Sequence, residues 1–129
     1  MTSRPTTPPR LTRIATRTGD DGTTGLGDGS RIAKHRPRIA ALGDVDELNC
    51  SLGVLRAEAL PDDIDRRLAQ VQHDLFSLGG ELAVPGHAML GQAQVAALDD
   101  WLAADNATLS PLQEFILPGG CRSAALAHA

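Results

Sequence analysis

The sequence predicts an all-α protein. Only 2% of the residues are aromatic while 42% are apolar, so Leu, Val, Ile and Ala must supply the core, and this composition suits helix packing better than a β-sandwich. Apolar residues also recur at three- and four-residue steps over two long stretches, which is the period of one helical face. The length of 129 residues is that of a single domain.

The composition argues against several classes of protein. A net charge of −4 is unlike the basic face of a general nucleic-acid binder. The apolar runs are too short to span a bilayer, and the N-terminus lacks the apolar core of a secretory signal. Cys50 and Cys121 lie far apart and outside zinc-ligand spacing. We therefore expect no membrane or nucleic-acid partner, no metal cluster, and two inert thiols in the reducing cytoplasm.

The first thirteen residues are predicted to be a disordered tail. They are rich in Arg and Thr and contain no acidic residue, as in a mitochondrial transit peptide, but Pro5, Pro8 and Pro9 break any amphipathic helix. An extended lead-in is expected over residues 11–16, and the helical domain over residues 14–129.

Residues 16–31, TRTGDDGTTGLGDGSR, have the composition of a phosphate-binding loop. Five glycines allow backbone N–H groups to turn toward an anion, and Asp20 and Asp21 are candidate ligands of a Mg²⁺ that bridges phosphate oxygens. Neither GxxxxGK[ST] nor GxGxxG is present. Composition alone leaves an ordinary surface loop equally open, because the same residues dominate turns. The candidate contacts are Thr16, Arg17, Thr18, Gly19, Asp20, Gly22, Thr24, Gly25, Arg31 and Lys34.

Two long helices are predicted after this loop. Pro37 marks the start of the first, which covers residues 38–59, and Asp46 and Asn49 lie on a polar face of it that is expected to look into a site. The second opens at Asp62 and carries an apolar stripe to Leu82 at heptad-like steps. The pair Gly79-Gly80 is unusual in so regular a helix, and close packing of another backbone is the expected reason.

Two shorter helices complete the prediction. A loop at residues 83–91 precedes a third helix over residues 92–104, and a linker follows at residues 106–113. The apolar run FILPGG, residues 115–120, is expected to be extended. A fourth helix is predicted from Cys121 or Arg122 to the last residue.

Four blocks of this sequence together resemble the PduO-type ATP:cob(I)alamin adenosyltransferase family. They are TRTGDDGTTGLGDGSRIAK, PRIAALGDVDELN, QHDLFSLGGELA and FILPGG, in the family's order and spacing, within a similarity that covers about residues 14–128. The resemblance implies an antiparallel helical bundle and a homotrimer with active sites between neighbouring subunits. It also implies the reaction, in which cobalt(I) of the corrinoid attacks C5′ of MgATP and tripolyphosphate leaves.

The resemblance also assigns residues to roles. Thr16, Arg17, Thr18, Gly19, Thr24 and Gly25 match the family's ATP-binding segment, with Lys34 as the phosphate-binding lysine. Asp46 resembles the acidic residue that pairs with an arginine of the adjoining subunit. Phe115 resembles the apolar residue that displaces the corrinoid's lower ligand. The competing interpretations are an exposed carboxylate for Asp46 and plain core packing for Phe115.

The resemblance has one departure. Family members continue into an arginine-rich segment, RxxCRRAER, and a further long helix, whereas this sequence stops at LAHA. We therefore expect a bundle that lacks its last helix or helices, either a fragment of a larger protein or a shortened variant. The alternative functions are a non-catalytic corrinoid or nucleotide binder and a generic helical interaction module.

Overall fold

The computed structural model describes residues 14–129, so the predicted tail and the first part of the lead-in lie outside the described residues. The prediction of a helical fold is confirmed. A two-stranded hairpin precedes the helices, where the sequence predicted only a loop. The elements are β1 (Thr23–Gly25), β2 (Arg31–Ala33), α1 (Pro37–Arg56), α2 (Asp62–Ala83), α3 (Gln92–Asn106) and α4 (Arg122–Ala127).

The hairpin is short and tightly closed. β1 and β2 pair in antiparallel fashion, with Thr23 opposite Ala33 and Gly25 opposite Arg31. The N–H of Leu26 donates to the carbonyl of Ser30 at 2.8 Å, which closes the turn between the strands. Strands of three residues are too short to show the alternation of apolar and polar residues that predicts a strand from sequence.

Helices α1 and α2 form the central antiparallel pair. Five residues connect them, and a connection this short favours antiparallel packing. Side-chain hydrogen bonds connect the two helices at both ends and in the middle. At each end, the start of one helix contacts the end of the other, as antiparallel packing requires. These contacts join Arg38 with Leu82, Asn49 with Gln72, and Arg56 with Asp65.

The contacts in the middle and at one end form a continuous polar network. The Gln72 amide donates to the Asn49 carbonyl at 2.9 Å, and the Asn49 amide donates to the Gln72 carbonyl at 3.3 Å. Arg56 donates to the side chain of Gln72 and to Asp65, both at 2.7 Å. The ion pair lowers the pKa of Asp65. Leu55, 7% exposed, is the single buried apolar residue among residues 14–129.

Helix α3 is attached to α2 mainly at its two ends. Arg67 of α2 donates to Asp105 of α3 at 2.8 Å. At the other end Glu81 of α2 accepts from the N–H groups of Met89 and Leu90, just before α3 begins. Between these attachments an apolar groove of about 200 Å³ separates the helices. α3 therefore does not close the core against α2.

Helix α4 packs near the C-terminal end of α1. Arg122 donates to Glu58 at 2.6 Å, and the sulfur of Cys121 caps the helix by accepting from the N–H of Ala124. The FILPGG run that leads into α4 is exposed, and Phe115 is 106% exposed. Core packing, one of the two interpretations of Phe115, is therefore wrong for this chain.

The predicted helix boundaries differ slightly from the observed ones. α1 ends at Arg56 rather than residue 59, and α3 continues to Asn106 rather than residue 104. α4 begins at Arg122, as predicted. Within residues 14–129, none of the helices combines the length and apolarity that crossing a bilayer requires.

Candidate functional site

Arg31 holds two parts of the glycine loop together through hydrogen bonds. Its guanidinium donates to the carbonyl of Thr18 at 2.9 Å and to the hydroxyl of Thr23 at 2.6 Å. Asp21 accepts from the N–H and hydroxyl of Thr23, both at 2.9 Å, and these bonds together with the charge of Arg31 lower the pKa of Asp21. Arg31 and Asp21 thus hold the loop in shape, a structural role that the sequence did not indicate for Asp21.

The structure brings Lys34 and Gly19 together. The N–H of Lys34 donates to the carbonyl of Gly22 at 2.9 Å, which extends the strand pairing by one bond. The Lys34 side chain folds over Gly19, since a methyl group added at Gly19 would lie 3.0 Å from Cε and 3.1 Å from Nζ. The ammonium group of Lys34 therefore lies beside the glycine turn.

The residues on either side of Gly19 are exposed. The hydroxyls of Thr16 and Thr18 lie 2.9 Å apart. Arg17 between them has φ of +57°, a left-handed conformation that is uncommon and strained for a residue other than glycine and is enriched at functional sites. Asp20 is exposed next to Gly19. Thr24 and Gly25 lie on β1, and Gly22 turns into it with φ of +84°.

The hairpin docks on the C-terminal end of α2. The N–H of Gly27, in the hairpin turn, donates to the carbonyl of Ala83 at 2.7 Å. Arg38, in the first turn of α1, donates to the carbonyl of Leu82 at 2.8 Å. The last carbonyls of a helix have no partner within the helix, so the hairpin and Arg38 both act as caps. Gly27 was one of the five glycines expected to turn an N–H toward an anion, but its N–H is bonded to Ala83. A cap supplied from a distant segment leaves no local signal in the sequence, so the capping by Gly27 and Arg38 was not predicted.

An open cavity of about 570 Å³ lies between α1 and α2 and begins where the hairpin docks. Its walls run from Ile39 to Asn49 on α1, about 15 Å at the helical rise, and from Ala83 back to Leu75 on α2. Small-molecule pockets commonly have volumes of this size. The cavity is mainly apolar, and Asp46 and Asn49 are the polar side chains that line it.

Asp46 and Asn49 both line this cavity, as their common face on α1 predicts. Asp46 is exposed. Asn49 is held through its amide nitrogen by Gln72, while its Oδ1 is shielded from solvent and accepts no hydrogen bond within the described chain. Arg56, at the end of the same helix, donates to Gln72 and Asp65.

The glycines of α2 serve a different purpose from the one expected. Gly79 has no atom within 4 Å of a built Cβ, and the nearest atom at Gly80 is the sulfur of Met89 at 3.3 Å. Within residues 14–129 no backbone packs against Gly79, so the expected close packing is not found there. Both glycines instead line the cavity, beside Phe76, which is 78% exposed. Because neither glycine has a side chain, this wall does not project into the cavity.

Phe115 lies apart from the other candidate residues. It lines a separate hollow formed by residues 112–116 and His128. Within residues 14–129 it touches neither the glycine loop nor the wall that carries Asp46. A role for Phe115 at the same reaction centre therefore needs a second chain.

Comparison with known proteins identifies relatives of this chain. The family model described as cobalamin adenosyltransferase matches residues 14–129. A cobalamin adenosyltransferase of Cupriavidus metallidurans is 62% identical over 120 residues, and a corrinoid adenosyltransferase of Mycobacterium tuberculosis is 46% identical over 126 residues. Each alignment covers 92% of this chain but 65% of the relative. The chain thus spans about two thirds of their length.

A solved structure has the same fold. It is a variant of a PduO-type ATP:corrinoid adenosyltransferase from Lactobacillus reuteri complexed with cobalamin and ATP, and it superposes with a TM-score of 0.82 at 30% identity. The superposition covers 90% of this chain and 68% of that one.

Glu81 holds the loop after α2, and its contribution to stability should depend on pH. Hydrogen bonds from the N–H groups of Leu90 and Met89 lower the pKa of Glu81 below its ordinary value of 4.5. Stability gained from the carboxylate is therefore fully present above pH 4.5 and is lost as the pH falls through the lowered pKa. We expect Glu81→Gln to have a lower Tm than the wild type at pH 7, and this difference to shrink toward pH 3.

Circular dichroism melts at several pH values measure this difference. Glu114→Gln, the same substitution at an exposed position, is the matched control and should not change the Tm at either pH. A Tm deficit of Glu81→Gln that stays constant from pH 7 to pH 3 would show that the charge of Glu81 is not what holds the loop.

Proposed function

The chain belongs to the cobalamin adenosyltransferase family, and we propose that it transfers the 5′-deoxyadenosyl group of ATP to cob(I)alamin. The products are adenosylcobalamin and tripolyphosphate. The observation that carries the proposal is the glycine hairpin with Lys34 over Gly19, which is bonded through Gly27 to Ala83 of the cavity wall. The family match and the Lactobacillus reuteri structure in complex with cobalamin and ATP support it.

The proposed reaction is a substitution at carbon. Cobalt(I) supplies an electron pair to C5′ of ATP, a Co–C bond forms, the C5′–O bond breaks, and its electron pair leaves with tripolyphosphate. Because cobalt(I) is itself a strong nucleophile, the protein needs to position C5′ and stabilise the charge of the departing phosphates. Lys34, Arg17, the threonine hydroxyls and the turn amides near Gly19 are the groups proposed for this work.

Mg²⁺ is proposed to arrive with ATP. Of the carboxylates in the loop, Asp21 and Asp28 already accept hydrogen bonds from Thr23 and Ser30. Asp20 is therefore the carboxylate that fits a metal bound to the phosphates, and it would act as a single ligand. The metal would neutralise phosphate charge when bound.

We propose that the complete site forms between subunits of a homotrimer. Asp46 would meet a cation of a neighbouring subunit, and Phe115 would reach the corrinoid of a site to which another chain contributes. The support is that Phe115 is fully exposed and distant from the cavity of its own chain. Both cysteines are free, which agrees with the reducing conditions that cobalt(I) requires and with a location in the cytoplasm.

Removal of Lys34 should weaken MgATP binding and adenosyl transfer. Lys34→Ala removes a charge-assisted contact worth about 1.5–3 kcal/mol, or roughly 10- to 100-fold in Kd. Thr18→Ala removes a neutral hydroxyl and should cost less. Calorimetric titration with MgATP and the formation of adenosylcobalamin from reduced cobalamin are the two measurements.

Arg66→Ala is the matched control for the loss of one positive charge. Arg66 lies near the start of α2, about 24 Å along the helix from the hairpin, and its loss should leave the MgATP Kd unchanged. Equal Kd values for the wild type and Lys34→Ala would remove the phosphate role from this loop. ATP binding without any adenosylcobalamin would favour the non-catalytic binder.

Phe115 should affect the corrinoid and not the nucleotide. We expect Phe115→Ala to leave the MgATP Kd unchanged while slowing transfer that starts from cobalt(II) with a weak reductant, since the proposed displacement of the lower ligand makes cobalt(II) easier to reduce. Leu117→Ala, at a neighbouring position that is also exposed, is the control. Equal losses of ATP binding and transfer in Phe115→Ala would contradict this role.

The chain should self-associate. Large apolar side chains such as Phe76, Leu102 and Leu112 are mostly exposed, and exposed apolar surface of this extent favours association. Light scattering coupled to size exclusion should show a trimer, and Phe76→Asp should shift the population toward the monomer. A wild-type monomer that unfolds cooperatively would contradict the prediction.

A further inference from the structure

Gly27 makes the closest approach between the phosphate-binding hairpin and α2. Its N–H donates to the carbonyl of Ala83 at 2.7 Å. A methyl group added at Gly27 would lie 2.5 Å from Cγ2 of Val84 and 3.3 Å from the carbonyl oxygen of Ala83. Carbon atoms pack best at about 3.5–4.0 Å. Gly27 has no positive φ, so the position requires the absence of a side chain and not an unusual backbone conformation.

The α2 side of this contact is held firmly in place. The N–H of Val84 donates to the carbonyl of Gly80 at 2.9 Å, and its own carbonyl accepts from the N–H of His87 at 3.1 Å. Glu81 ties down the end of the same loop at Met89 and Leu90. A clash at Gly27 would therefore displace the hairpin rather than the end of α2.

We propose that Gly27 is a positioning residue of the nucleotide site, an inference that rests on the proposed function. Gly27 sets the distance between the hairpin, with Gly19 and Lys34, and the α1–α2 cavity. The triphosphate is bound by the hairpin and the adenosyl group lies toward the cavity, so C5′ reaches its place only when these two parts keep this spacing. Gly27 itself touches neither substrate.

A pair of substitutions tests this role. Gly27→Ala should raise the MgATP Kd by about 10-fold or more, because the hairpin and the cavity would no longer receive the two parts of ATP at the spacing that ATP requires, and it should slow transfer by up to about 100-fold, the cost in rate of a misplacement of about 1 Å. Val84→Ala removes the methyl that the new side chain would meet and leaves a normal 3.5 Å contact to Cβ. As a single substitution, Val84→Ala should change the MgATP Kd by less than about twofold. Combined with Gly27→Ala, it should restore most of the lost affinity.

Hydrogen exchange separates positioning from folding of the hairpin. The amide of Lys34, bonded to the carbonyl of Gly22, should stay protected in Gly27→Ala, since the hairpin moves as a unit.

Three results would overturn the proposal: an unchanged Kd in Gly27→Ala, a loss that Val84→Ala does not restore, or a loss of protection at Lys34. A wild-type chain without affinity for MgATP would instead overturn the proposed function, and with it the premise of this inference.

Discussion

The polar contact between Asn49 and Gln72 fixes the register of α1 against α2, and the rest of the structure depends on that register. Each side chain donates to the backbone carbonyl of the other residue. Apolar packing alone tolerates a shift of one helix along the other, but a shift of one turn, about 5.4 Å, would take both side-chain amides away from these acceptors. Unpaired polar groups between helices are costly, so the polar contacts select one alignment.

This register has a direct consequence at the far end of the helix pair. It places the first turn of α1 beside the last turn of α2, so that Arg38 reaches the carbonyl of Leu82. The hairpin is joined to α1 through only three residues, 34–36, and is therefore delivered to the same place, where Gly27 caps Ala83. The position of the phosphate-binding hairpin thus follows from a helix register set more than two turns away.

The sequence was informative wherever a local pattern determines structure. Helical periodicity and Pro37 located α1 and α2, and the face that carries Asp46 and Asn49 does line a cavity. The hairpin was missed because Asp21 and Asp28 shape its turns through contacts two residues away, which resemble those of any loop. The close packing expected at Gly79-Gly80 was not found. The sequence cannot distinguish a glycine that faces a backbone from one that faces an empty cavity.

The distribution of charge along the cavity determines how a nucleotide must lie in it. Arg17 and Lys34 belong to the hairpin segment and Arg38 to the first turn of α1, whereas Asp46 lies about 12 Å beyond Arg38 along α1 by helical rise, on a cavity wall that is mainly apolar. A triphosphate placed beside Asp46 would meet a like charge and lose its cations. Under the proposed function, the phosphates would therefore lie at the hairpin and the uncharged adenosyl group in the cavity. In this orientation C5′ lies at the boundary between the hairpin and the helices, because it joins these two parts of ATP. A small change in the spacing of hairpin and helices would therefore alter the reacting geometry.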